Sequence, residues 1–130
     1  MSHLLDTNAW KWLTVGGKLK PAARFLADED TPLFLLDISF WEICKAVEHE
    51  TLKLTLPPLE WIQAALTKNI TVLSVTPKIA DQSCKLVAAG LDATGLANPM
   101  IVAAARIHRL TLVTRDQKII RWGGVPVLIY

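Results

Sequence analysis

The sequence predicts an α/β fold, in which a central, mostly parallel β-sheet of about five strands carries helices on both faces. Two features of the 130-residue chain lead to this prediction. Short apolar runs that suit β-strands alternate with longer segments whose apolar residues recur at helical spacing. The short runs also lack the alternation of polar and apolar residues found in half-exposed strands, which is typical of parallel strands buried on both faces.

The composition is that of one globular domain, and we assign residues 1–130 to it. Neither an internal repeat nor a linker rich in Gly, Pro or Ser divides the chain. Hydrophobic residues make up 52% of the sequence, a share that excludes intrinsic disorder. The apolar runs are nevertheless far shorter than the roughly 20 residues needed to span a membrane. The net charge of +2 is too small to identify a nucleic-acid partner by itself.

The N-terminal residues and the cysteines predict a reducing, cytoplasmic environment. No basic segment followed by an apolar stretch begins the sequence, so we expect no secretory signal. Cys44 and Cys84 are isolated residues in helical segments without the spacing of a zinc or disulfide pair. We therefore expect both to be small, buried thiols.

Five strands are predicted from short apolar or β-branched runs. In chain order they are "SHLLD" (2–6), "LFLLD" (33–37), "ITVLS" (70–74), "LTLVT" (110–114) and "VPVLIY" (125–130). Helices are predicted between them, from apolar residues three and four positions apart and from Pro or Gly at the ends. The helices begin at Ser39, near Pro57-Pro58, after Pro77 and at Asn98-Pro99, and the third ends at Gly90.

Three acidic residues are expected to meet at one edge of this sheet. Asp6 closes the first strand, Asp116 follows the fourth by two residues, and Glu42 lies one turn into the helix after the second. Ligands of parallel sheets bind outside the carboxyl ends of the strands, where all three residues fall if the strands before Asp6 and Asp116 are neighbours. Because clustered carboxylates repel one another without a cation, and because Mg²⁺ and Mn²⁺ prefer carboxylate oxygen, the set predicts a divalent-metal site.

Polar side chains beside the three acids leave two interpretations open. Ser39 and Glu42 have the spacing of a capping box, which competes with a site role for Glu42. Asp37 ends the second strand as Asp6 ends the first, and we interpret it as a turn or N-cap residue. Short hydroxyl and amide side chains near the acids either orient the carboxylates or satisfy backbone groups: these are Thr7, Asn8, Ser39 and Thr114.

Other enzyme classes fit the residues less well. A phosphatase-like enzyme of the haloacid-dehalogenase type also uses an Asp at a strand end, but it expects a second Asp two residues later, where this chain has Asn8. The sequence has neither a Gly-rich phosphate loop nor a Ser or Cys nucleophile with a convincing His partner. His3, His49 and His108 lack the spacing of metal ligands.

Four segments together resemble a PIN domain, and more narrowly the VapC-type toxins of bacterial toxin–antitoxin pairs. They are "LLDTNAW", "ISFWEI", "GLANPMIVAAA" and "LTLVTRD", in this order over essentially the whole chain. The resemblance implies a PIN-like fold and a metal-dependent endoribonuclease that leaves a 5′-phosphate and a 3′-hydroxyl. It also implies that Asp6, Glu42 and Asp116 are catalytic acids that bind Mg²⁺ or Mn²⁺, and it places a fourth catalytic position at Asn98.

Asn98 is the main departure from the family pattern, which has an acid there. Asn is a favoured N-cap and Pro a favoured first helical residue, so "NP" is also an ordinary helix start. Three interpretations stay open: a cap that also contacts a metal-bound water, a lost catalytic group, or an introduced Asp-to-Asn change that silences a toxic enzyme. We predict a metal-dependent endoribonuclease toxin that Asn98 attenuates, with a catalytically silent module that binds its antitoxin or RNA as the alternative.

The remaining predictions concern partners. Arg115, Lys118 and Arg121 are spaced three residues apart, which places them along one helix face beside Asp116, as a solvated face or as an RNA-binding strip. The chain has five tryptophans, and this number suits a buried core but also an interface. The resemblance implies a homodimer, and a cognate antitoxin that inserts a helix or an arginine into the acidic site.

Overall fold

The computed structural model describes residues 2–92 and 95–130, which contain one five-stranded sheet. The strands are β1 (His3–Leu5), β2 (Leu33–Leu36), β3 (Ile70–Leu73), β4 (Thr111–Val113) and β5 (Val127–Leu128). Their order across the sheet is β3-β2-β1-β4-β5, and each pair of neighbours is parallel. The predicted fold class and the five predicted strands are confirmed.

Helices connect the strands. Within the described residues they are α1 (Thr7–Thr14), a 3₁₀-helix (Pro21–Ala27), α2 (Ile38–Glu48), α3 (Pro58–Ala65), α4 (Pro77–Ala88), α5 (Ala97–Ile107) and α6 (Gln117–Trp122). The four helices whose starts were predicted begin within one residue of those positions. Gly90 follows α4 with a φ of +109°, a conformation that glycine adopts readily and that ends the helix. Crossing a membrane would require a longer and more apolar helix than any in the described residues.

The sheet is covered on both faces by two separate groups of apolar side chains. Leu4 and Leu112 belong to the core under α4, α5 and α6, whereas Leu5 and Val113 belong to the core under α1, α2 and α3. Consecutive strand residues point to opposite faces, so each of these strands contributes to both cores. This arrangement explains why the strands are apolar at successive positions.

The register of β1 and β4 determines which residues meet at the carboxyl edge of the sheet. Leu5 pairs with Val113, and the Asp6 amide donates to the Val113 carbonyl oxygen at 3.2 Å. Asp6 and Thr114 are therefore the first residues beyond two neighbouring strands, and α1 and α6 begin close behind them. The strands that precede Asp6 and Asp116 are neighbours, as the predicted site requires.

The expectation of buried cysteines is wrong, because Cys44 and Cys84 are both exposed. On α2 the face toward the sheet runs through Ser39 and Ile43, which are 0% and 1% exposed, so Cys44 lies one position outside it. On α4, Cys84 likewise follows the buried Ser83. Apolar residues three and four apart mark the approximate centre of a helix face, but a residue at its margin still faces solvent.

The buried alanines of α5 predict a position at which a larger side chain destabilises the fold. Ala104 has no exposed surface, and Ala103 and Ala105 beside it are equally buried. Ala104→Leu should lower the free energy of unfolding by about 1–3 kcal/mol, because extra methylenes in a packed interior displace their neighbours. Urea unfolding followed by circular dichroism measures the change. Ala64→Leu, at an exposed position of α3, is the matched control; equal losses in both variants would contradict the packing described for α5.

Candidate active site

Asp6 is held at the junction of β1 and α1, with 5% of its surface exposed. It is the N-cap residue of α1, and its Oδ1 accepts a hydrogen bond from the Ala9 amide at 2.7 Å. The Thr114 side chain, at the end of neighbouring β4, forms a hydrogen bond with the same carboxyl group. Helix N-termini stabilise a carboxylate through their free amides and their dipole. Strand pairing and helix capping together therefore orient Asp6.

Asp116 repeats this arrangement at the start of α6. Its Oδ1 accepts hydrogen bonds from the Lys118 amide at 2.9 Å and from the Ile119 amide at 3.4 Å. Its own amide donates to Thr114 Oγ1 at 3.0 Å. The Thr114 hydroxyl thus contacts both aspartates that follow the central strands, accepting from the backbone of one and bonding the carboxyl group of the other.

Asn98 does not cap α5, so the helix-cap interpretation of this residue is wrong. Leu96 occupies the N-cap position, and within the described residues no side chain caps this helix. Asn98 lies in the first turn, and its Nδ2 donates to Oδ2 of Asp116 at 3.2 Å. The helix can begin before Pro99 because the first turn needs no amide at that position. The amide of Asn98 therefore contacts the Asp116 oxygen that α6 leaves free.

Glu42 is tied to the start of α1. The Thr7 hydroxyl donates to Oε1 of Glu42, and Ser39 Oγ lies 2.8 Å from Thr7 Oγ1. Because the Thr7 proton is directed to Glu42, the Ser39 hydroxyl donates to Thr7.

The capping-box interpretation is wrong, since Asp37 holds the N-cap position of α2 and Ser39 is buried inside the first turn. Asp37 is an N-cap by position only; its carboxylate accepts from the Val75 amide at 3.0 Å.

Glu42 and Asp116 act electrostatically on Asp6. Burial, the largest cause, acts with the negative charges of Glu42 and Asp116 to raise the pKa of Asp6 to about 6. Hydrogen bonds from Thr114 and from the Ala9 amide act in the opposite direction and are too weak to offset burial. A buried carboxyl group among other carboxylates favours the presence of a proton or another cation.

Asp6 and Glu42 line a cavity of about 120 Å³, which we call the acidic cleft. Lys11 is a lining residue that was not among the residues predicted for the site. It lies on α1 one helical turn after Thr7, and this spacing is the sequence signal that could have identified it. The cleft therefore contains a positively charged side chain. Its lining consists of Asp6, Thr7, Asn8, Lys11, Glu42, Ile43, Ala46 and Asn98.

The oxygen donors fit a hydrated divalent cation. Among residues 2–92 and 95–130, no three His, Cys, Asp or Glu side chains lie close enough together to hold one ion. Mg²⁺ usually keeps several waters and binds proteins through only one or two carboxylates. Asp6 and Asp116 follow neighbouring strands and match that requirement, and Glu42 lines the same cleft as Asp6.

The predicted basic strip does not lie on one helix face. Arg115 precedes α6, so only Lys118 and Arg121 belong to that helix. The Arg115 Nε donates to the Tyr130 backbone oxygen at 2.6 Å, and its guanidinium lies 4.7 Å from the ring centre of Trp12 and 4.2 Å from that of Tyr130. The Lys118 ammonium lies 3.7 Å from an exposed carboxylate. Two of the three basic side chains of the predicted strip therefore already have partners within the chain.

The contact with Arg115 also brings Tyr130 into electrostatic range of Asp6. Burial, and then the charge of Asp6, raises the pKa of Tyr130 to about 12, although Arg115 acts to lower it. The phenol is therefore protonated at physiological pH and is available as a hydrogen-bond donor. No motif in the sequence predicts this proximity.

Known proteins share the sequence family and the fold of this chain. Residues 3–124 match the PIN domain family. The chain is 28% identical over 120 residues to ribonuclease VapC22 of Mycobacterium tuberculosis, a match that covers 89% of this chain and 88% of that protein. Its fold is similar to that of VapBC-1 from nontypeable Haemophilus influenzae (TM-score 0.71, 19% identity, 98% and 97% of the two chains). A toxin–antitoxin complex from Klebsiella pneumoniae is also similar (TM-score 0.64, 24% identity, 98% and 97% of the two chains).

The environment of Asp6 predicts how stability depends on pH in the absence of metal. The folded protein holds the Asp6 proton up to a pKa of about 6, above the ordinary value of 3.8. The stability that this proton contributes is complete below the ordinary pKa and is lost as the pH rises through the raised one. Between about pH 4 and pH 7, the free energy of unfolding of the protein should therefore fall by on the order of 3 kcal/mol relative to that of Asp6→Asn. Asn does not titrate and keeps the N-cap.

Urea unfolding at several pH values, with chelator present, measures this difference. Asp28→Asn, at an exposed carboxylate, controls for the general effect of pH on the chain. A difference between Asp6→Asn and the parent protein that stays constant across this pH range would contradict the described environment of Asp6.

Proposed function

Because the chain belongs to the PIN domain family, we propose that it is a VapC-like endoribonuclease toxin that hydrolyses RNA phosphodiester bonds with Mg²⁺ or Mn²⁺. The observation that carries this proposal is the placement of three acids at one edge of the sheet, where burial, and then the charges of Glu42 and Asp116, raise the pKa of Asp6 to about 6. An acid with a strongly perturbed pKa in a cleft is typical of a functional site. The relative VapC22 is named a ribonuclease, which supports RNA as the substrate class.

Hydrolysis of a phosphodiester needs an aligned water molecule and positive charge near the phosphate. A divalent ion bound here would supply that charge and lower the pKa of water. We propose that Asp6 and Asp116 hold it, and that Glu42 acts on a water molecule beside it. Each of these side chains is oriented by the fold: Thr114 bonds Asp6, the first amides of α6 bond Asp116, and Thr7 bonds Glu42.

Side chains of the acidic cleft complete the proposed reaction. Glu42 is the candidate to accept the proton of the attacking water, because Thr7 holds Oε1 and the residue lines the cleft. Lys11 is the candidate to contact the phosphate as a positive point charge. Attack on phosphorus breaks the bond to the 3′ oxygen, which takes up a proton, and leaves a 5′-phosphate. A further contact to the RNA backbone is proposed for Arg121, since Arg115 and Lys118 already have partners within the chain.

A catalytically silent module that binds its antitoxin or RNA without cleaving is the second candidate. Asn98 favours it, because a neutral amide stands where the resembled family has an acid and donates to Oδ2 of Asp116. This hydrogen bond occupies an oxygen that a metal ion would otherwise contact, and the missing negative charge weakens the attraction for a cation. Within the first proposal, the same observation leads us to an attenuated nuclease that holds one metal ion.

We also propose two protein partners and a cytoplasmic location, where RNA would be available. An antitoxin that inserts an arginine would pair with the carboxylates of the acidic cleft through charge-assisted hydrogen bonds. The similar Klebsiella pneumoniae structure is a toxin–antitoxin complex, which supports this kind of partner. A second copy of the chain would cover apolar side chains that are open to solvent, such as Val15 and Leu59, which are 71% and 67% exposed.

The proposed metal site predicts a stabilising effect of Mg²⁺ or Mn²⁺. Either ion should raise the melting temperature, because a ligand that binds only the folded state stabilises it. Asp6→Asn should lose this rise together with metal-dependent cleavage of single-stranded RNA. Thermal melts and gel assays with labelled RNA, each with metal and with chelator, measure both effects. Asp28→Asn is the control that should keep them. An equal metal-induced rise in Asp6→Asn would remove Asp6 from the site.

Asn98→Asp tests the fourth catalytic position. Without metal, the change replaces a hydrogen-bond donor to Asp116 by a second carboxylate, so the melting temperature should fall through like-charge repulsion. With Mg²⁺ or Mn²⁺, the added carboxylate should tighten metal binding and raise RNA cleavage by roughly 10²-fold or more.

The matched control is Asn98→Ala, which removes the same hydrogen bond without adding charge. It should be destabilised without any gain in cleavage. If the parent and Asn98→Asp cleave RNA equally and respond equally to metal, position 98 is not the fourth catalytic position of the family.

A further inference from the structure

One tryptophan stays on the surface beside the acidic cleft. Trp41 is 42% exposed, whereas Trp10 and Trp61 are 1% and 7% exposed. It directly precedes Glu42 on α2, and both residues line a second cavity of about 230 Å³, which we call the α2 cavity. The metal, proton and phosphate chemistry proposed above makes no use of this indole.

The α2 cavity adjoins the acidic cleft, because Glu42 and Ala46 line both. One wall carries Trp41, Lys45 and His49, which are four residues apart and therefore share one face of α2 and the turn after it. The Lys45 Nζ lies 4.6 Å from the ring centre of Trp41, on one side of the indole. The remaining lining residues are Thr51, Gly95, Leu96 and Ala97.

These side chains combine the two features that proteins use to bind single-stranded nucleic acids. An exposed indole offers a flat surface on which a base can stack, and cationic side chains beside it attract the phosphates. The Lys45 ammonium and the His49 ring supply phosphate donors, and Leu96, 63% exposed, adds an apolar edge. The cavity is smaller than the roughly 300 Å³ at which pockets for drug-sized ligands begin, so its size suits a single base.

We propose that the α2 cavity is a nucleobase-binding subsite for single-stranded RNA. The base of a nucleotide next to the scissile phosphate stacks on Trp41, and the phosphate of that nucleotide contacts Lys45 and His49. Continuity with the acidic cleft through Glu42 aligns the RNA with the site of hydrolysis. This proposal rests on the proposed RNA-hydrolysing function and adds to it a residue that selects unpaired substrate.

The test measures binding of a fluorescently labelled single-stranded RNA in chelator, so that binding is observed without cleavage. Trp41→Ala should raise Kd by about 5- to 150-fold, the range expected for losing one base–aromatic stack, and Trp41→Phe should restore most of the affinity. Phe25→Ala is the matched control, since Phe25 is 41% exposed and packs on His3 at the start of β1, away from the cleft. This control should bind RNA like the parent protein.

A second arm distinguishes stacking from a structural effect. RNAs that carry one abasic position are scanned along the substrate with the parent and with Trp41→Ala. At the position that occupies the subsite, removing the base should weaken binding to the parent and leave binding to Trp41→Ala unchanged. In the cleavage assay, Trp41→Ala should raise KM.

Several results would overturn the subsite. One is that the parent protein cleaves RNA and Trp41→Ala binds RNA with an unchanged Kd. This result leaves the proposed function standing. Another is a change from dimer to monomer in Trp41→Ala with unchanged RNA binding, which assigns this face to a second copy. A loss of antitoxin binding with unchanged RNA binding assigns it to the antitoxin. A parent protein that neither binds nor cleaves RNA, with or without metal, overturns the proposed function itself.

Discussion

The parallel pairing of β1 with β4 is the constraint on which the rest of the site depends. It places Asp6 and Thr114 side by side as the first residues beyond the two strands. From this edge α1 and α6 begin, each with an aspartate as its N-cap. A different strand between β1 and β4 would move the two aspartates about 5 Å further apart and break the contacts that Thr114 makes with both.

Each of the two aspartates has one oxygen that satisfies backbone amides. One oxygen of Asp6 satisfies the Ala9 amide, and one oxygen of Asp116 satisfies two amides of α6. These hydrogen bonds favour the charged form of Asp6, but burial outweighs them and its pKa rises to about 6. Without a cation, the site therefore reduces the stability of the fold at neutral pH. A bound cation would restore that stability, which couples ligand binding to folding.

Positive charge reaches the acidic cleft from α1 and the adjoining cavity from α2, and not from the arginine-rich segment near the C-terminus. Lys11 lines the acidic cleft, and Lys45 lies over Trp41 in the adjoining cavity. Arg115, by contrast, is held between the rings of Trp12 and Tyr130. Helical spacing relates Lys11 to Thr7, and Lys45 to Trp41, so these placements follow from secondary structure once the acids are known. For a bound RNA, the proposed path therefore crosses α2.

The apolar pattern of the sequence is enough to predict the layers of the fold and the strand ends at which acids stand, because strands buried on both faces must be apolar at successive positions. The partners of the polar side chains, by contrast, depend on how the elements pack. Ser39 and Asn98 both have the local spacing of helix caps, yet they bond side chains 32 and 18 residues away. Asp6 and Asp37 end their strands in the same way, but their carboxylates meet different partners, because β1 lies beside β4 and β2 lies beside β3. Capping and long-range hydrogen bonds have similar energies, of about 1 kcal/mol, so the choice between them depends on strand order, which no local pattern specifies.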